Sequence, residues 1–153
     1  MESWKFRRQV FVVFFILIPF SMLFRYPPIG GEKARIMRVL GAILTLSSSI
    51  LALYVHSLFP KTHDRPSDFE KLMKDGPYRY VRHPFYSAFM VMGFGIALWF
   101  LSVPGLLAYA FMIPLWERLA GLEEKELIEH WGDEYLEFMK TRGRFFPRPG
   151  VKR

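Results

Sequence analysis

Two groups of polar residues stand beside long apolar runs, and they are the residues most able to do chemistry. The first is GPYRYVRHPFY at residues 76–86, and the second is WERLAGLEE at residues 116–124. Tyrosine rings can stack on a base or lie against a cation. The unpaired amides of a helix that starts at Pro84 suit an anionic group. One acid of the second group could bind a ligand ammonium or hydroxyl.

Each group also has a purely structural interpretation. Tyr, Arg and His gather at lipid headgroups in many membrane proteins, so residues 76–86 also fit an interfacial belt. The acids fit a solvated helix face paired with Lys125 and the loop bases. Glu123 and Glu124 point about 100° apart on a helix, so both cannot face solvent if that helix packs on the rest of the protein. From the residues alone, both interpretations stay open.

Metal and thiol chemistry are not expected. The chain has no cysteine, which excludes disulfides, thiolate metal sites and a cysteine nucleophile. We interpret His56 as an interfacial or core residue. The spacing of His63 and His130 does not indicate metal ligands, so no metal site is predicted.

The elements that must position these groups are long apolar helices. Charged residues are absent from Val10–Phe24, Val39–Phe59 and Phe85–Trp116, the last spanning 32 residues. A helix needs roughly 20 apolar residues to cross a bilayer, so the third run is too long for one span. Its SVPG at residues 102–105 predicts a tight hairpin between two helices. Bulky residues follow the first run, which favours a retained span over a signal peptide.

The sequence therefore predicts an all-α, polytopic membrane protein that forms one domain over residues 1–153. Its expected spans are 9–25, 37–59, 84–101 and 103–118. Residues 60–83 form a loop and 119–153 form helices and a tail. Within the loop, Ser67 to Glu70 fits a capping box and predicts a short helix over 68–74.

Charge gives the expected orientation. The net charge is +7, and 17 of the 21 Lys and Arg residues lie before the first span, in the loop 60–83 or from Arg118, at the end of the fourth span, onward. The positive-inside rule puts those segments in the cytoplasm. Because the charges lie between apolar runs, we expect anionic lipid headgroups as partners and no nucleic acid. The compact size favours a prokaryotic cell membrane.

Two motifs carry a resemblance to a known family. The first is G-x-Y-x-x-x-R-H-P-x-Y at residues 76–86. The second is E-E-x-x-L-x-x-x-W-G-x-x-Y at 123–135, followed by R-F-F-P at 144–147. In this order, separated by a helical hairpin, they resemble the isoprenylcysteine carboxyl methyltransferase family and the related phospholipid methyltransferases over roughly residues 70–147. The departures, Ala88 for a usual glycine, Trp131 for phenylalanine and Phe138 for a common tyrosine, are mild.

The resemblance implies S-adenosylmethionine as methyl donor and a lipidic or small hydrophobic acceptor, such as the carboxylate of a prenylated cysteine. Phospholipid amines and thiols are alternative acceptors. Arg118 or Arg144 is the expected holder of an acceptor carboxylate. The residues that the resemblance assigns to the cofactor pocket are Leu72, Met73, Tyr78, His83, Pro84, Tyr86, Glu123 and Glu124.

Two other functions compete with this one. Sterol reductases, which use NADPH, have a similar C-terminal region with an Arg-His-Pro-like motif. This chain is short for such a reductase, and it keeps the Glu-Glu and Trp-Gly block of the methyltransferases. The second alternative is a four-helix membrane scaffold without enzymatic activity, in which the polar groups are only a surface belt.

Overall fold

The computed structural model describes residues 3–25, 30–59 and 69–148. Within these ranges the chain forms six α-helices and no strand, which confirms the all-α prediction. A 3₁₀ helix, Gly76–Arg79, precedes the third α-helix. The α-helices are α1 (Ser3–Leu23), α2 (Gly31–Ser57), α3 (Pro84–Trp99), α4 (Val103–Phe111), α5 (Ile113–Trp131) and α6 (Asp133–Thr141).

Helices α1 and α2 are long and apolar enough to cross a membrane, and α3 is a shorter apolar helix. Both long helices carry large apolar side chains that no other part of the described chain covers. Examples are Phe15 and Ile16 on α1, and Ile50 and Leu53 on α2. Such a surface is unfavourable in water and is the surface that lipid tails contact in a membrane protein.

The packing of α2 on α3 depends on glycines at the crossing point. A Cβ at Gly41 would clash with the backbone of α3 at Trp99 and Gly95, and one at Gly95 would lie 2.7 Å from Thr45 Oγ1. The backbones can therefore approach closely, as small residues allow in membrane helix pairs. This contact joins the first half of α2 to the last turns of α3, and the two helices run antiparallel, so the start of α3 lies toward the end of α2.

The turn between α3 and α4 lies where SVPG predicts it. Leu101 has a positive φ of 55°, and α4 begins at Val103. Ser102 Oγ caps α4 by accepting a hydrogen bond from the Gly105 amide at 3.0 Å. The same hydroxyl donates to the carbonyl of Phe24, just past the end of α1. The hairpin is thus tied to the far end of α1.

The segment predicted as the span 103–118 contains a helix interruption. It lies at Met112, between α4 and α5, because Pro114 has no N–H to donate to the carbonyl of Ala110. Helix α5 then runs without a break through residue 118 to Trp131. One helix therefore joins the apolar core to the acidic residues of the second polar group.

The prediction of a loop helix over 68–74 is wrong for residues 69–74, the part that the structure describes. Ser67 and Asp68 lie outside the described residues, and residues 69–74 are not helical. Lys74 Nζ lies 2.7 Å from Glu134 Oε1 of α6. The conformation of this segment is therefore set by its tertiary surroundings and not by the local capping signal.

An aromatic core holds α1, α3 and α5 together. Trp116 of α5 is 1% exposed, and its ring lies 5.4 Å from that of Phe11 and 5.3 Å from that of Tyr86. Phe14 and Phe89 make an edge-to-face pair beside it at 5.2 Å. Such pairs stabilise a core beyond simple burial. They fix the first turns of α3 against the first turn of α5.

Candidate functional site

A cavity of about 570 Å³ opens where the start of α1, the end of α2, residues 69–83 and the first turns of α3 meet α5 and α6. Its volume is in the range of sites for small molecules and cofactors. Aromatic rings form much of the wall, and carboxylates and guanidinium groups interrupt them. The two polar groups predicted from the sequence are both represented in this wall.

Pro84, the first residue of α3, places His83 and Tyr86 side by side. Pro84 suits a helix start because its missing N–H would have no partner there. The His83 ring then stacks on the Tyr86 ring, with centroids 5.6 Å apart and an interplanar angle of 12°. The Tyr86 hydroxyl donates a hydrogen bond to Glu123. His83 Nδ1 lies 3.7 Å from Glu123 Oε2. The two polar groups therefore meet at Glu123.

Glu124 has a different environment from its neighbour. Arg82 Nε donates to Glu124 Oε1 at 2.9 Å, and His83 Nε2 lies 3.2 Å from the same oxygen. Arg144 donates to both oxygens, and it also pairs with Glu117. The Glu124 side chain is only 4% exposed. A buried carboxylate needs such partners, and here they come from two separate parts of the chain.

The C-terminal tail closes this network through its backbone. The amides of Arg82 and His83 donate to the carbonyls of Gly143 and Arg144, at 2.9 and 3.0 Å. Ser87 Oγ donates to the Phe145 carbonyl at 2.7 Å. The tail thus lies along the segment that leads into α3. It thereby holds in place the segment that carries Arg82 and His83 of the cavity wall.

The two carboxylates of α5 have pKa values shifted in opposite directions. Burial is the largest cause at Glu123 and raises its pKa, against the lowering effects of His83, the Tyr86 hydrogen bond and Arg7. Burial also acts to raise the pKa of Glu124, but His83 and the guanidinium groups of Arg144 and Arg82 outweigh it and lower the value to about 2. Glu124 is therefore held as an anion, whereas burial makes ionisation of Glu123 less favourable than that of a carboxyl in water.

The tyrosine hydroxyls of the cavity wall stay neutral. Burial, followed by the negative charge of Glu123, raises the pKa of Tyr78 well above its ordinary value. Tyr135 behaves in the same way, with burial as the largest cause and Glu124 as the second. Neutral hydroxyls can donate hydrogen bonds, and their rings offer faces to a cation.

The structure brings most of the predicted cofactor residues together. Pro84 is buried at the start of α3, and Glu124 is buried behind the wall, so these two shape the site without lining it. The predicted cofactor residues that line the cavity are Leu72, Met73, Tyr78, His83, Tyr86 and Glu123.

The two arginines predicted to hold the acceptor do not line the cavity. Arg118 is exposed, and its guanidinium carbon lies 5.3 Å from the centroid of the Phe6 ring. Arg144 is engaged by Glu117 and Glu124 and by the tail in which it stands. Its guanidinium therefore has a structural role in this arrangement.

Several cavity residues were missed by the sequence analysis. Arg7 and Arg8 of α1, Glu126 of α5 and Tyr135 of α6 all line the wall, and so does His56, interpreted above as an interfacial or core residue. The available signal was the basic start of the first apolar run. It points to a membrane surface as readily as to a cavity, because its partners lie far away in the sequence.

This combination of side chains suits an organic ligand that is partly cationic. Ring faces and a carboxylate attract a cation, and the arginines of the same wall can bind an anion. The described residues include no group of three or more His, Asp or Glu side chains placed to hold a metal ion. The wall therefore favours binding and positioning of an organic ligand.

Comparison with known proteins agrees with this chemistry. A search of curated proteins finds no match. The family model described as phospholipid methyltransferase matches residues 36–134, from the first turns of α2 to the start of α6. The match includes both polar groups and the hairpin between them, and it extends over more than half of the chain. The chain therefore belongs to the phospholipid methyltransferase family.

Proposed function

We propose that the protein transfers a methyl group from S-adenosylmethionine to a lipidic or small hydrophobic acceptor. Membership of the family indicates a membrane methyltransferase, and the donor and the acceptor class are the parts proposed here. The observation that carries the proposal is the position of Glu123, which meets the stacked rings of His83 and Tyr86 in one cavity.

The cavity wall fits the functional groups of this donor. The sulfonium and the ammonium of the donor are cations, which suit the ring face of Tyr78 and the carboxylate of Glu123. The Tyr135 hydroxyl is buried at the wall without a hydrogen-bond partner in the described part of the chain. A buried hydroxyl without a partner is costly, so it favours a ligand that supplies one. Leu72 and Met73 add apolar contact surface.

The protein's own contribution is mainly positioning. When bound, the donor supplies a methyl group that forms a bond to the acceptor's nucleophilic atom as the sulfur–methyl bond breaks, leaving a neutral thioether. Tyr86 and His83 orient Glu123, and Glu124 holds His83 from behind. Holding two reactants in line supplies a large part of the rate for such a displacement.

We also propose that the chain crosses the membrane four times, with the cavity on the cytoplasmic side. The N-terminal end of α1, the C-terminal end of α2 and the N-terminal end of α3 all contribute to the cavity. The C-terminal half of α5 contributes as well. At the opposite end, Ser102 of the hairpin contacts Phe24 after α1. This alternation supports four crossings, with α4 and the first turn of α5 as the fourth. The positive-inside count supports the orientation.

The family match favours methyl transfer over the sterol reductase and scaffold alternatives. Incubation of the purified protein with methyl-labelled S-adenosylmethionine and a lipid extract tests the proposal. We expect label to enter the lipid fraction, and to be lost in a Glu123→Gln variant. A folded protein that labels no lipidic or small hydrophobic acceptor from a broad panel contradicts it.

A further inference from the structure

The side of the cavity formed by α1 lies outside the part of the chain that matches the family. The match begins at residue 36, within α2. Features shared by a family serve the chemistry that its members share, here the use of the donor. Features outside the match can set what differs between members, and the acceptor is the reactant that differs. The α1 residues in the wall are Ser3, Trp4, Arg7, Arg8 and Phe11.

Two guanidinium groups stand on this side. Arg7 Nη1 lies 3.7 Å from Glu123 Oε1, so Arg7 reaches the carboxylate that we assign to the donor. Arg8 is the next residue and is exposed at the cavity rim. Guanidinium groups present paired N–H donors that match carboxylate and phosphate oxygens. The pair is therefore placed to hold an anion close to the reacting atoms.

The start of α1 is fixed against α5, which gives these arginines a defined position. The Ser3 amide donates to Glu126 Oε1 at 3.0 Å, and the Ser3 hydroxyl donates to Glu126 Oε2 at 2.6 Å. Ser3 is 2% exposed. A carboxylate at a helix N-terminus is also favoured by the helix dipole. Arg7 follows one turn later and so is held over the cavity.

Beyond the arginines the wall becomes apolar and aromatic. The Phe11 ring lies 4.7 Å from the Phe89 ring and 5.9 Å from the Phe85 ring. The Phe59 ring, from the end of α2, lies 5.7 Å from Phe85 on the same wall. A basic rim that leads to an aromatic interior fits a molecule with an anionic group and an apolar chain.

We propose that Arg7 and Arg8 hold the anionic group of an amphiphilic methyl acceptor and thereby determine acceptor specificity. This inference rests on the proposed function and names its substrate class. The anion is either the carboxylate that is methylated or a phosphate beside a methylated amine. With a carboxylate, an oxygen–methyl bond forms, the sulfur–methyl bond breaks and no proton is released. With a protonated amine, a nitrogen–methyl bond forms and one proton passes to solvent.

Acceptor binding without the donor tests this inference. The first pair of probes is N-acetyl-S-farnesylcysteine and its uncharged methyl ester. The second pair is phosphatidylethanolamine and diacylglycerol, which lacks the phosphate together with the ethanolamine. The wild type should bind the charged member of at least one pair about tenfold or more tightly than the uncharged member. The responding pair, together with the proton count per methyl transferred, identifies the anion.

Three variants test whether Arg7 and Arg8 cause the preference for the charged probe. In the Arg7→Gln/Arg8→Gln double variant the preference for the charged probe should disappear, while binding of the uncharged probe stays the same. Arg35→Gln removes one charge at the start of α2, away from the cavity, and should keep the preference. If the double variant does not fold, Arg8→Gln alone should reduce the preference severalfold.

Two results would overturn the inference. One is a wild type that prefers neither charged probe, and the other is a folded double variant with an unchanged preference. Titration of S-adenosylmethionine into the wild type runs in parallel. Failure of the proposed function then appears as absence of donor binding, whereas failure of this inference appears only in the charge preference.

Discussion

Glu123 and Glu124 are neighbours in α5, yet their carboxylates have opposite electrostatic surroundings. Glu123 lines the cavity and accepts a hydrogen bond from the Tyr86 hydroxyl, and burial raises its pKa. Glu124 lies behind the wall between Arg82 and Arg144, with a lowered pKa. Adjacent helix positions point about 100° apart, so neighbouring residues of one helix turn can face these two different surroundings. The first carboxylate serves the ligand, and the second supports the structure.

Glu124→Gln should destabilise the fold strongly. The substitution removes the charge that pairs with two guanidinium groups in a buried network, and such a loss typically costs about 3–5 kcal/mol. Thermal or denaturant unfolding of the detergent-solubilised protein measures it. Glu117→Gln is the matched control, because Glu117 pairs with the same Arg144 but is about half exposed. The control substitution should lower the free energy of unfolding by about 1 kcal/mol or less. Equal effects of both variants would contradict the assignment.

The stability that Glu124 provides should be lost at acid pH. Its folded-state pKa is lowered from 4.5 to about 2, so the contribution is complete above pH 4.5 and is lost as the pH falls toward about 2. The midpoint difference between the wild type and Glu124→Gln should therefore shrink across that window. Unfolding scans at a series of pH values measure the difference. A difference that stays constant down to about pH 2 would show that Glu124 is not held as an anion.

Tyr135→Phe should separate stability from ligand binding. The Tyr135 hydroxyl has no partner in the described part of the chain, so its removal should not destabilise the unliganded protein. If the donor supplies the missing partner, its affinity should fall about three- to tenfold. Tyr109→Phe is the control, because Tyr109 is also buried but does not line the cavity. Unchanged donor affinity in Tyr135→Phe would mean that this hydroxyl does not contact the donor.

Gly95→Ala should weaken the packing of α2 on α3. Its new Cβ would lie 2.8 Å from the backbone nitrogen of Thr45, so the helices must move apart. Overpacking of this kind typically costs about 1–3 kcal/mol. In contrast, a Cβ at Gly121 of α5 meets nothing within 4 Å. Gly121→Ala should therefore stabilise the helix by up to about 1 kcal/mol. Unfolding midpoints that move in the same direction for both variants would contradict the close crossing.

The features predicted well from the sequence are those with a local cause. Pro84 starts a helix because of its own ring, and Ser102 caps α4 through an amide three residues away. The motif residues His83, Tyr86 and Glu123 were found by their resemblance to a family. Their meeting in one cavity follows from the hairpin, which returns the chain toward the start of α3.

The features that were missed depend on contacts between distant parts of the chain. Ser3 and Glu126 are 123 positions apart, and no local pattern links them. Arg144 belongs to a recognisable motif, but the motif does not tell whether its guanidinium faces a ligand or Glu124. The wrong helix over 68–74 is the opposite case, because a local capping signal is present and the described residues 69–74 are nevertheless irregular.

The proposed function requires this cavity to bind S-adenosylmethionine at Glu123, and calorimetric titration of the donor into the detergent-purified protein measures that binding. Glu123→Gln keeps the size of the side chain and removes its charge, and NADPH is titrated in parallel. We expect the donor to bind the wild type, to bind the variant at least tenfold more weakly, and NADPH not to bind. A folded wild type that binds no donor, or binds NADPH instead, would contradict the account.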